Sequence, residues 1–70
     1  MNVNALKGKI VERGFTIESF CAEAGFVRST FDRKLNGKSE FDLAEIRRMV
    51  QILHLDYDET RNIFFADHVA

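Results

Sequence analysis

The stretch EAGFVRSTFDRKLNGKSEF, residues 23–41, places a glycine inside what would otherwise read as one continuous helix. Gly25 can adopt the left-handed conformation that turns a chain sharply, at no steric cost. Apolar residues lie on both sides of it, so each flanking segment has a face to bury. A chain built this way folds as short helices set at angles, not as one rod. The absence of proline and a total of only four glycines suit a mostly helical chain with short connections. Alternation of apolar and polar residues never persists for more than a few positions, so no strand competes.

Five helical segments follow from the apolar spacing. The first spans about residues 3–13, with Leu6, Ile10 and Val11 on one stripe and Gly14 as a stop. Thr16 is a candidate N-cap for the second, about residues 17–24, whose Phe20, Cys21 and Ala24 face a core. The third covers about residues 28–36, with Phe31 and Leu35 inward and Asn36-Gly37 closing it. The fourth covers about residues 43–53. Asp42 caps it, Glu45 completes a capping box, and Phe41 staples its start. Leu43, Ile46, Val50 and Leu53 form its expected buried stripe. Asp58 is the expected cap of a last short helix reaching about residue 65, with Ile63 and one of Phe64 and Phe65 packed inward. The expected fold class is all-α, five short helices in a single domain over residues 1–70.

Composition narrows the function classes. Seventy residues, 46% hydrophobic with seven Phe and no Trp, are enough for one small core. No apolar run approaches the ~18 residues of a membrane span. The segment MNVNALKGKI lacks the continuous apolar core of a signal peptide. One cysteine cannot form an internal disulfide, so a reducing cytoplasm is the expected location, and Cys21 reads as a small core residue. His54 and His68 have no ligand partners at motif spacing, so no metal and no other cofactor is expected. There is no phosphate-cradling glycine loop, no nucleophile elbow and no suggestive His–Cys pairing, which argues against an enzyme.

Charge is polarised even though the net is only −1. Residues 28–38 carry Arg28, Arg33, Lys34 and Lys38 against Asp32 alone. Residues 56–70 carry Asp56, Asp58, Glu59 and Asp67 against Arg61 alone. Local charge matters more than the total when one face meets a polyanion. Two short helices joined at Gly25, over about residues 17–36, make a helix-turn-helix, in which the second helix can protrude while the first braces it. A helix entering a DNA major groove needs short polar or cationic side chains at its exposed N-terminal end, here Arg28, Ser29 and Thr30. Arg33, five residues after Arg28, is expected on roughly the same exposed side. Lys34, Asn36 and Lys38 flank the helix exit, where phosphates would lie. Double-stranded DNA is the expected partner, with no membrane and no small-molecule substrate.

The segment TIESFCAEAGFVRSTFDRKLNGK, residues 16–38, resembles the phage-repressor and Cro-like (XRE-type) helix-turn-helix family. The matching features are Thr16, Phe20, Cys21, Gly25, Phe26, Phe31 and Asn36-Gly37, and the five-helix layout extends the likeness over about residues 3–65. The resemblance implies a small phage or bacterial transcriptional repressor whose Arg28, Ser29 and Arg33 face base edges. It implies that Asn36 bonds a phosphate and that the start of the second helix, Thr16 and Ile17, offers backbone N–H groups to another. Some residues depart from the family pattern. Ile17 stands where many members carry a phosphate-clamping Gln. Val27 stands where a Ser or Thr usually caps the recognition helix, so that helix is expected to fray or to borrow Ser29 or Thr30. Ile10 and Leu35 stand where some members place an Arg–Glu pair. Asp32 can orient the Arg28 guanidinium or repel phosphate. These departures leave an alternative: a protein-interaction module on the same fold, binding another regulator or a toxin, with DNA binding weakened or lost. One recognition helix covers too few base pairs to locate a site, so a two-fold homodimer on DNA is expected. Tyr57, Phe64, Phe65 and Val69 are its candidate interface.

Overall fold

Helix ends decide this architecture more than helix interiors do. The structure is a computed structural model that describes residues 1–66. Among them are five helices and no strand: α1 (Val3–Glu12), α2 (Ile17–Ala24), α3 (Arg28–Leu35), α4 (Leu43–Leu53) and α5 (Tyr57–Phe64). α2 ends where Gly25 takes φ +77°, which lets the Phe26 N–H donate back to the Cys21 carbonyl at 2.8 Å. The same backward bond closes α1 (Phe15 to Ile10, 3.0 Å), α3 (Lys38 to Arg33, 3.0 Å) and α4 (Leu55 to Val50, 3.1 Å). In α4 the left-handed position is held by His54 at φ 51°, the one non-glycine residue with positive φ among those described. Phe15, Phe26 and Leu55, each next along the chain, fold onto the core as the motif requires.

Helix starts are capped by side chains with one exception. Asn2, Thr16, Asp42 and Asp56 each accept a hydrogen bond from the backbone N–H three residues on, and the last three sit in reciprocal capping boxes. α3 is the exception. Val27 supplies no cap, neither Ser29 nor Thr30 substitutes for one, and the helix still begins at Arg28.

What holds α3 is its buried face. Phe31 meets the rings of Phe20, Phe26 and Phe41 with centroids 5.9, 5.2 and 5.6 Å apart, and Phe15 extends the chain of rings through Phe20. These separations suit edge-to-face and tilted contacts, each worth about 0.5–1.5 kcal/mol beyond burial. The rest of the core comes from every helix: Leu6 and Ile10 of α1, Phe20, Cys21 and Ala24 of α2, Leu35 of α3, Met49 and Leu53 of α4, and Ile63 and Phe64 of α5. α1 packs on α2 and α5, and α2 packs on α3 and α4. The Asn2 N–H donates to the Ile63 carbonyl at 2.6 Å, and the Arg13 side chain donates through Nε to the Leu53 carbonyl at 2.8 Å. Both ends of the bundle are thereby tied together.

The structure corrects several sequence expectations. Val11 is 67% exposed: about 100° of helix separates it from Ile10, which turns it out of the Leu6–Ile10 stripe. Leu43 is 57% exposed because it occupies the first helical position of α4, ahead of the core. The stripe of α4 is Ile46, Met49, Val50 and Leu53, with Met49 at its centre. α5 starts two residues earlier than expected. Asp56 caps it because Glu59 stands three residues on to complete the box, whereas the residue three after Asp58 is Arg61, which has no acceptor to return.

Candidate nucleic-acid interface

α3 presents a polar outer face because its apolar residues all lie on one side. Phe31 and Leu35 point to the core, and the position opposite them is Arg33, flanked by Ser29 and Thr30, all three exposed. None of these three side chains has a hydrogen bond or ion pair among the described residues. Arg28 does not share the Arg33 direction. Five residues rotate a helix by about 500°, so the two arginines stand about 140° apart. Arg28 leans instead toward α2. Its Nε donates to Asp32 Oδ1 at 3.2 Å, and its Nη1 lies 4.0 Å from Glu18 Oε1. Asp32 therefore does orient this guanidinium.

Lys34 is not at the surface where a phosphate would meet it. Its ammonium donates to both oxygens of Glu45 at 2.6 and 2.7 Å and lies over the Phe41 ring, and the Lys34 and Glu45 side chains are only 15% and 14% exposed. The same Glu45 accepts from the Asp42 N–H at 2.8 Å to close the α4 capping box. One carboxylate thus starts α4 and fastens α3 to it. Asn36 and Lys38, by contrast, are exposed at the end of α3, and Gly37 between them takes φ +79°.

At the start of α2, the Thr16 hydroxyl accepts from the Ser19 N–H at 3.0 Å and the Ser19 hydroxyl accepts from the Thr16 N–H at 2.9 Å. These side chains are engaged with each other. The first-turn N–H groups of Ile17 and Glu18 have no partner inside the helix. The Ile17 side chain packs against the core and offers nothing to a ligand.

Arg48 belongs to this surface although sequence reasoning passed over it. Its guanidinium carbon stands 5.4 Å from the Phe26 ring centroid, which sets a cation beside the turn that precedes α3. The signal in the sequence was the pair Arg47-Arg48 on the outer side of α4, next to an apolar stripe.

The C-terminal candidates divide. Tyr57 is 77% exposed and Phe65 is 37% exposed, and with Thr60 and Arg61 they line a shallow cleft of about 240 Å³. Phe64 is buried in the core and cannot serve an interface. Val69 and His68 lie outside the described residues. Among the described residues no group of three His, Cys, Asp or Glu side chains is placed to hold a metal ion. Cys21 is buried, and that burial pushes its thiol pKa up. No helix among the described residues is long and apolar enough to cross a membrane.

The family model described as "Protein of unknown function (DUF739)" matches residues 1–67. The chain belongs to the DUF739 family. No curated protein and no solved structure matches it. For this DUF739 member the match takes in all five helices, from the Asn2 cap to the end of α5, so the surface around α3 belongs to the family domain itself.

Proposed function

We propose that this protein is a sequence-specific DNA-binding transcriptional regulator of the phage-repressor (XRE-type) kind, acting as a two-fold homodimer. α3 enters the major groove, Ser29 and Arg33 face base edges directly, and Arg28 and Thr30 reach them from the two sides. The α2 first-turn N–H groups, Asn36, Lys38 and Arg48 hold phosphates on either side of the groove. The observation that carries this reading is the outer face of α3. Arg33, Ser29 and Thr30 are exposed and take no part in holding the fold, on a helix whose inner face is anchored by Phe31 and Leu35.

Selection of bound sequences from random duplex DNA, run at low and physiological salt, tests it. Enrichment of one near-palindromic site at both salts is the expected result. Binding that vanishes at physiological salt with no site enriched would overturn it and favour the protein-interaction alternative, for which the pairing of Arg28 with two acids is the supporting observation.

A further inference from the structure

Arg28 differs from Arg33, the cation on the outer face of α3, in having acidic partners. Asp32, one turn later on the same helix, accepts from its Nε, and Glu18 of the bracing helix stands 4.0 Å from Nη1, within ion-pair range but beyond hydrogen-bond reach. Neither carboxylate has another side-chain partner among the described residues. Asp32 caps no helix end. It is also a residue of low helix propensity in the middle of an eight-residue helix. Its charge opposes a polyanion. A position that weakens both the helix and the attraction to DNA calls for a role in binding.

The geometry of the guanidinium supplies one. Arginine offers two bidentate edges, one formed by Nε with a terminal nitrogen and one formed by the two terminal nitrogens. With Nε bonded to Asp32, the end-on fork of Nη1 and Nη2 is the edge left for a second pair of acceptors. In the major groove, O6 and N7 of guanine are such a pair. We infer that Asp32 is a positioning residue that commits Arg28 to guanine, and that Asp32 and Glu18 together restrain Arg28 from sequence-independent contact with phosphate. The inference rests on the DNA-binding reading above and deepens it: it names the base selected at one position of each half-site and makes the two acids a brake on non-specific binding.

The test puts the wild-type protein and its Asp32→Ala, Asp32→Asn and Arg28→Ala variants through the same duplex selection, with affinities measured on the selected site and on an unrelated duplex. Thermal melts run alongside establish that each variant is folded. The wild type should enrich a guanine that Arg28→Ala no longer requires. Asp32→Ala should lower the preference for that guanine by roughly five- to a hundredfold while binding the unrelated duplex more tightly. Asp32→Asn, whose amide oxygen still accepts from Nε, should keep the preference and share the gain in non-specific affinity. In the Arg28→Ala background, Asp32→Ala should alter base preference no further. An enriched site whose guanine preference survives Asp32→Ala overturns the inference and leaves DNA binding standing. A wild-type protein that enriches no site at either salt overturns the DNA reading itself, and this inference with it.

Discussion

Gly25 and His54 hold the same left-handed position at the ends of α2 and α4, and only one of them suits it. A Cβ at Gly25 would meet no atom within 4 Å, so the cost of Gly25→Ala is purely backbone, about 1–2 kcal/mol. His54→Gly removes the same strain at a site that already bears it and should stabilise the protein by roughly 0.5–1 kcal/mol. Denaturant melts of the two variants should shift in opposite directions. A loss of stability for His54→Gly would mean that its side chain contributes more than the strain removes. The role of Gly25 was legible in the sequence because glycine advertises positive φ. That of His54 was not, since histidine fits any exposed position, and the sign that remained was the apolar Leu55 directly after it, matching Phe26 after Gly25. On the outer face of α3, Arg33→Ala should weaken binding to the selected site by about 1–3 kcal/mol and relax one base position. Lys38→Ala should weaken all duplexes alike and lower the salt slope by about 1. If titrations show identical behaviour for the two variants, Arg33 contacts the backbone and not a base.

α4 and α5 are each started and fastened by one carboxylate. Glu45 closes the α4 box and holds Lys34 of α3, while Glu59 closes the α5 box and holds Lys9 of α1. The side-chain hydrogen bond from Lys9, aided in Glu59 by the Asp56 N–H, keeps the Glu12 and Glu59 carboxyls below their ordinary value of 4.5. Hydrogen bonds to Glu12 and then Glu59 keep Lys9 above 10.5. The carboxylates' contribution to stability is therefore complete above pH 4.5 and disappears as pH falls through their lowered values. That of Lys9 is complete below 10.5 and disappears as pH rises through its raised value. Thermal melts across the acid range should show a loss that is shallower in Glu59→Gln, a change that preserves a capping box and removes only the charge. Equal acid slopes in the two proteins would mean the Lys9 pairing does nothing for α5. The sequence spells out the boxes at Asp42 and Asp56 with a Glu three residues later, so the cap of α5 is legible at Asp56 once its partner is counted and not at Asp58, which Arg61 follows at that spacing. The lysine partners were out of reach of sequence reasoning. Lys34 sits among basic neighbours and looks like one more phosphate ligand until the fold brings Glu45 beneath it. For α3, Leu35→Ala should cost about 2–5 kcal/mol, since the side chain is buried and the helix, uncapped at its start, is held by its buried face.

At the scale of the molecule, five helices around one core leave two unlike surfaces among the described residues, the polar outer face of α3 with Arg33 and the exposed aromatic edge of α5. Tyr57 and Phe65 make a small patch, too little for a tight dimer by itself. Sedimentation at several concentrations should show weak self-association without DNA and two protomers on a palindromic duplex. One protomer per duplex at saturation, with both half-sites intact, would establish a monomeric binder. Tyr57→Ala should weaken the second protomer's binding and leave the first unchanged. The fold class was readable at this scale because breakers, caps and apolar stripes agreed with one another. The direction of the two arginines was not, because Arg28 and Arg33 are set apart by helical rotation and by carboxylates that only the fold brings near. The anchorage of α3 has a consequence for how such a chain can change. Phe31, Leu35 and the Lys34–Glu45 pair hold it from beneath, and nothing on its far side takes part. The outward positions can thus be rewritten as a set, like the bit of a key, while the shank and its seating are left as they are.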